Sequence, residues 1–496
     1  MMEGVISELR FAETHRYRPF ALVSPETIQV ESAQPETSLL ADGLIITSQR
    51  PAAPFAAVEL RVETAGDASV VTGLGSLDGD DHVLTAYDLV QQRASIELRT
   101  GGRTRVVAVR NIALQPPFGF AFALCENSVT ALADTGDGWQ PLVTAHKNIA
   151  AFVDFRSADV LGRFAFAYGS RPRPAVKTRS TPSHPMRRIL GRGKRPPASA
   201  GDGAPVLGSV RAGPFGMAGV RDPHVVQRPD GTPYVRGRKL YLTMTCAGLG
   251  FFQQAHWGVF TLDLDDLTRL EQVAQLYFTR DGLVLGDHAG QLIVDGERLI
   301  VAVSSWGDFT PGNIHVRHTV TSRDVLSGVH VLPTEPLSLP TKLGAWDPAL
   351  TRVGGRWYVG FVESPSQGDR FDFHPALAVG APGHDYAGPL QLVGADESLH
   401  QCEGPILTRL DGEWRLVASD RDHRDYPIYD LDMCRVGSLD APYLSNIPHP
   451  QLVTVPGPSG PRHLIVTFNG SQYAEGVLGY GGHGDLVILE AAAPSD

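Results

Sequence analysis

Between about residue 215 and residue 492 the chain repeats one pattern five times. A short polar or acidic word is followed by an apolar run, a tight DG or GG turn, and a second apolar run. The instances are RDPHVVQRPDGTPYVRGRKLYLTMTCAG, GDHAGQLIVDGERLIVAVSSW, WDPALTRVGGRWYVGFVES, CEGPILTRLDGEWRLVASD and the less regular PHPQLVTVPGPSGPRHLIVTFNG, which runs on to GYGGHGDLVIL. Apolar runs around a DG or GG turn predict hairpins. Starts spaced about 45–65 residues apart match one four-stranded propeller blade. Five units predict a five-bladed β-propeller over 211–496.

Residues 1–170 have a different texture. Strand-like runs such as AAVELRVET, SIELRT, TRVVAVRNIAL and FGFAFALCEN are separated by turn words, LDGDD and RTGGR, and no long run of helical period appears. This predicts an antiparallel β-sandwich. GWQPLVTAHKNIAAFVDF and GRFAFAYGS weakly resemble the back strands of jelly rolls, and an accessory or interface role is expected. Between the two regions, Arg171 to Arg195 carries nine of the chain's 43 Lys and Arg and no acid. Its prolines and like charges predict an extended linker over 171–210; the other reading is an arm for an anionic partner.

Composition narrows the function. Gly 53 and Pro 37 suit many short strands and turns, and a net charge of −11 argues against a nucleic-acid partner. The four cysteines form no CxxC pair, so neither a zinc site nor a disulfide framework is expected. The N-terminus lacks the apolar run of a secretion signal and no segment is long and apolar enough to span a membrane, which predicts a cytoplasmic location. Nothing in the sequence sets an oligomeric state.

The candidate chemistry lies in the words that open the units. Inner strands of a propeller line its axis, so residues at the unit starts converge at one end. Asp222-Pro223, Asp347-Pro348 and Glu403-Gly404-Pro405 place three carboxylates there, and Asp287 stands in the second unit's opening word. One Asp-Pro is an ordinary turn former. Acids recurring at successive unit starts repel one another and raise each other's pKa, a cost that proteins retain mainly for chemistry. Glycoside hydrolysis needs one carboxyl that is protonated and one that is ionised, and a third can tune the first.

The words RDPHV, WDPAL and CEGPIL, with their order and spacing, resemble glycoside hydrolase family 43 and its relatives in families 62, 32 and 68. The resemblance covers about residues 215–490. It implies a propeller enzyme acting on arabinofuranosides or xylosides, with an oligosaccharide or glycoside as partner. Asp222 would be the general base that activates water, Asp347 the acid that tunes and positions the donor, and Glu403 the general acid. Asp287, His288, Trp346 and Trp306 are candidate sugar contacts. No cofactor is required; His483, in GYGGHGD, is a candidate ligand for a structural metal such as calcium in the channel. His256, Arg317 and His318 could bond sugar hydroxyls. The second unit departs from the family, having GDHAG where a Trp-Ala-Pro word is usual. The missing Asn-Asp-Pro-Asn-Gly word of invertases favours inversion, with base and acid roughly 6.5–9.5 Å apart. The rival readings are a retaining, invertase-like fructosidase, a glycoside phosphorylase, which would need an Arg and His cluster, and a non-catalytic carbohydrate-binding propeller.

Overall fold

The computed structural model describes residues 9–25, 31–32, 38–39, 43–172, 205–368, 370–457, 460–472, 474 and 484–491. Most of the basic segment, 173–204, and His483 lie outside the described residues. Nearly every element is a strand, and the strands form a β-sandwich and a five-bladed propeller.

Blade one runs outward from the axis through Val220–Val225, Lys239–Cys246, His256–Asp263 and Leu270–Arg280. Blade two has His288–Asp295, Arg298–Ser304, Val316–Thr321 and Glu335–Pro336, and blade three Gly344–Val353, Arg356–Gln367, Phe371–Gly380 and Leu390–Ala395. Blade four has Cys402–Leu410, Glu413–Asp420, Pro427–Tyr429 and Arg435–Ser438. Each unit has the expected hairpin, and Gly231, Gly296, Gly354, Gly355 and Gly412 take up positive φ in the turns.

Blade five is built from both ends of the chain. Gln451–Gly457, Gly460–Gly470 and Gly484–Ala491 form its inner part, and Phe11–Tyr17 pairs antiparallel with the last of these to complete it. Closing the ring with the opposite terminus fixes the last blade by backbone hydrogen bonds. The first strand therefore belongs to the propeller, a departure from the 1–170 boundary. Leu207–Met217 departs in the other direction: it pairs with Phe55–Val62 and Ala21–Val23 and so belongs to the sandwich.

Inner strands radiate from an axis and cannot pair with one another along their length, so buried amides link them. Gln227 Nε2 donates to Leu350 O (3.0 Å) and Thr351 Oγ1 (2.9 Å). Gln291 Oε1 accepts from Leu350 N (2.5 Å) and Gln451 Oε1 from Val225 N (3.1 Å). These bonds satisfy polar groups that burial would otherwise penalise.

The sandwich consists of two seven-stranded sheets around a core that includes Val58, Leu74, Ile96, Phe122, Phe155 and Phe166. Its strand Phe118–Cys125 is buried along its whole length, because the sheet has a neighbour on both faces. Phe120 and Phe122 point into the sandwich core, while Ala121, Ala123 and Cys125 pack with Leu249, Tyr277 and Val284 of blade one. The alternation of large and small residues in FGFAFALC thus fills the core on one side and lets blade one approach closely on the other. Among the described residues no helix is long and apolar enough to cross a membrane.

Candidate active site

The opening words of the first four units share one backbone device. Asp222, Ala289, Asp347 and Gly404 have φ of 49°, 54°, 51° and 64°. At each, the pairing with the second strand slips: between Arg221 and His224, His288 and Gly290, Trp346 and Ala349, and Glu403 and Ile406. These are β-bulges, which re-aim side chains next to functional sites. A left-handed backbone costs an L-residue roughly 1–2 kcal/mol, and aspartate is among the side chains that tolerate it best. The register corrects one expectation. Asp222 and Asp347 are equivalent, but their counterpart in blade four is Gly404, so Glu403 stands one position earlier, level with Arg221 and Trp346.

The device brings Asp222, Asp347 and Glu403 together around Arg221 and His449. Arg221 Nε donates to Asp222 Oδ1 (2.7 Å) and Arg221 Nη2 to Glu403 Oε1 (2.6 Å), so one guanidinium bridges two acids. Thr245 Oγ1 donates to Asp222 Oδ2 (2.8 Å), Trp346 Nε1 to Glu403 Oε2 (3.3 Å) and Gly404 N to Asp347 Oδ2 (3.1 Å). His449, at the mouth of blade five, places Nε2 3.5 Å from Asp222 Oδ1, 3.6 Å from Asp347 Oδ2 and 3.9 Å from Glu403 Oε1. A side chain on Gly404 would put its Cβ 2.3 Å from the His449 ring, so glycine is required there.

All five groups are buried. Burial first, then repulsion from Glu403 and Asp222, pushes the Asp347 carboxyl up to about 8, against the pull of His449 and Gly404 N–H. The Asp347 carboxyl is therefore held toward its protonated form. Burial disfavours a charged His449, but the three carboxylates outweigh it and raise its pKa. His224, nearby, is lowered by burial to about 4 and is neutral.

Above this cluster opens a cavity of about 310 Å³, walled by Phe251, Phe252, Trp306, Phe309, Trp346, Phe371 and Phe373, with Arg221, Glu403, Arg421 and Asn446 among its polar lining. Phe252 stacks on Trp306 at 4.6 Å and 29°. A second void of about 10 Å³, roughly one water's room, is lined by Asp222, Asp347, His449 and His224. Aromatic walls with a few convergent polar groups suit the faces and hydroxyls of a sugar ring.

The remaining sequence candidates fall in several places. Trp306 and Trp346 wall the cavity. His288 is fully buried behind it: Nε2 donates to the Phe252 carbonyl (3.1 Å) and Nδ1 lies 3.4 Å from Thr245 Oγ1, so it packs behind Thr245 rather than facing the cavity. Asp287 is corrected as a sugar contact. It is fully buried, both its oxygens are held by Arg280, and Gly307 N donates to it (2.9 Å). Arg280 also grips Asp308, so this cluster anchors the Trp306–Asp308 turn. His256 packs between Phe55 and Tyr277, Arg317 bonds Thr334 and His318 meets Tyr386, none of them in the cavity lining. Among the described residues no group of three or more His, Cys, Asp or Glu is placed to hold a metal ion.

Arg221 and His449 escaped the sequence reading. Arg221 stood inside the word RDPHV and His449 inside PHPQLV, the opening of the fifth unit. The histidine that the sequence singles out in that unit, His483 of the glycine-rich GYGGHGD, lies outside the described residues.

No family model matches the chain and no curated protein is similar to it. Among solved structures, an inulosucrase from Halalkalicoccus jeotgali bound to kestose aligns at 13% identity and TM-score 0.41, over 56% of this chain and 85% of that one. A Penicillium chrysogenum α-L-arabinanase complexed with arabinobiose aligns at 11% and 0.35, over 87% and 98%. A GH43_1 enzyme from Xanthomonas citri complexed with xylose aligns at 13% and 0.36, over 56% and 88%. At these identities and scores the likenesses assign no activity; the propeller rests on the strand pairing of this chain itself.

Proposed function

We propose that the protein is a glycoside hydrolase that cleaves an arabinofuranosidic or xylosidic bond with inversion. The observation that carries this reading is the convergence of three carboxylates on one histidine beneath an aromatic-walled cavity. Asp222 borders the water-sized void and not the cavity itself, so as base it would act on a water at the floor of the cavity, beside Arg221 and Glu403. Water attacks the anomeric carbon as its proton passes to Asp222, the glycosidic C–O bond breaks, and the leaving oxygen takes a proton from Glu403. Glu403 lines the cavity, where a leaving oxygen would lie; because both its oxygens accept hydrogen bonds, it must first take up a proton, which Asp347 can supply, and give up one of those bonds before it can donate. Asp347, its carboxyl held toward the protonated form, is the cluster's proton reserve for the donor. Arg221 holds the facing oxygens of base and donor on one guanidinium edge, so inversion requires Glu403 to leave that edge and open room for a water between them.

A panel of aryl furanosides and pyranosides tests the reading, with proton NMR of the first-formed sugar. Release of the inverted anomer supports it, and the retained anomer overturns inversion. No turnover of any substrate, alongside saturable oligosaccharide binding, identifies a binding propeller. A second reading has one observation in its favour: Arg221 and Arg421 both line the cavity, as a phosphorylase would need. Sugar phosphate formed only when inorganic phosphate is added would select it.

A further inference from the structure

One buried acid of the sandwich reaches the cavity wall. Glu126 lies in the turn after Phe118–Cys125, has φ of 59° and is only 3% exposed. Its Oε1 pairs with Arg156 (3.2 Å), which is itself held by Asp154 (2.9 Å). Its Oε2 accepts from Gln254 Nε2 (2.7 Å), and Gln254 Oε1 accepts in turn from Phe251 N (2.7 Å). The loop is wound tightly around Gln254: a Cβ on Gly250 would meet its Cγ at 2.4 Å, and one on Gly248 would collide with its carbonyl.

What this loop carries makes the contact more than an interface bond. Phe251 and Phe252 wall the cavity, and Phe252 stacks on Trp306. The Phe252 carbonyl accepts from His288 Nε2, and the other nitrogen of that ring lies against Thr245, next to Asp222. A second clip lies alongside: Val284 N donates to Arg156 O (2.7 Å) and Ala158 N to Gly282 O (3.2 Å), joining the sandwich to the hairpin that follows Arg280.

We propose that Glu126 is a positioning residue of the cavity: through Gln254 it fixes the Phe251–Phe252 turn, and so sets the aromatic wall and the place of His288 behind it. The sandwich is then a working part of the binding site. The proposal rests on the cavity's being a sugar site, but the placement of the turn can be tested without that reading. Loss of one buried hydrogen bond, left uncompensated, is worth about tenfold in an equilibrium constant.

The test uses the full chain with Glu126→Ala, Glu126→Gln, Gln254→Ala and, as a control in the other sheet, Glu97→Ala, which removes the partner of Arg171. Amide hydrogen exchange is followed over residues 248–256, and KM and kcat on an aryl glycoside. Exchange there should quicken in Glu126→Ala and Gln254→Ala, KM should rise about tenfold with a smaller change in kcat, and Glu126→Gln, which keeps the acceptor for Gln254, should restore both. The control should move neither. Unchanged exchange at 248–256 in Glu126→Ala overturns the proposal, even if the melting temperature falls. Should no glycoside be turned over, the hydrolase reading fails and the exchange data still decide this one.

Discussion

At the axial end of blade one Asp222 sits with φ of 49° beside a slip in strand pairing; at the matching place in blade two Ala289 sits with φ of 54° beside the same slip. The backbone is the same and the chemistry is not. Asp222 meets Arg221, Thr245 and His449, whereas Ala289 presents a methyl group that packs with Trp306 and Trp346. The bulge is therefore a property of the repeat, and it persists where no functional group uses it. Side chains placed on a shared scaffold make the site, which is why fold and function have to be argued separately.

The sharpest way to break the comparison is to make blade one resemble blade two. Asp222→Ala keeps a residue that the bulge already accepts in blade two, so the fold should survive while the base is lost. Turnover should fall by roughly 10²–10⁴-fold, the usual worth of a positioned acid or base. Unchanged circular dichroism with turnover above a tenth of the parent's would remove Asp222 from the chemistry.

Blade three offers the next largest effect, in stability rather than rate. The Asp347 carboxyl is raised from 3.8 to about 8, so the folded protein holds a proton that the unfolded chain has already released between those values. That contribution to stability is complete below the unfolded value and is lost as pH rises through the folded one. Asp347→Asn cannot titrate. Its unfolding free energy relative to the parent should therefore improve steadily from about pH 4 to about pH 8, as read from urea unfolding at several pH values. A constant difference across that window would mean that Asp347 is not held protonated.

Much of this arrangement was legible in the chain because it is local. Each blade carries its own hairpin turn, such as VDGER or LDGEW, and its own opening word, so the five units and the acids at their mouths could be read directly. What could not be read depends on pairing between distant segments. Nothing within Phe11–Tyr17 signals that it closes blade five against Gly484–Ala491, and nothing in Leu207–Met217 signals a return to the sandwich. Asp287 misled for the complementary reason. It occupies an opening word, but it lies two residues before the bulge position Ala289, and its side chain turns to Arg280. Arg221 and His449 were visible as letters, yet their role appears only when blades one, four and five meet at the axis.

The smallest effects probe the bulge itself, and they should have opposite signs at two equivalent positions. Ala289 accepts a left-handed backbone without any chemical return, so Ala289→Gly relieves strain worth roughly 1 kcal/mol, partly offset by the greater freedom of glycine in the unfolded chain. The packing of one methyl group against Trp306 is lost as well, and the net change should lie within about 0.5 kcal/mol of zero with activity retained. Gly404→Ala is the reverse exchange. It adds the same strain and drives a Cβ to 2.3 Å from the His449 ring, so His449 must move away from the three carboxylates. A destabilisation of about 1–3 kcal/mol is expected, with a fall in activity that Ala289→Gly does not share. Thermal melts and turnover measured on both variants check the pair. If Gly404→Ala were as silent as Ala289→Gly, the close seating of His449 against blade four would have no part in the site.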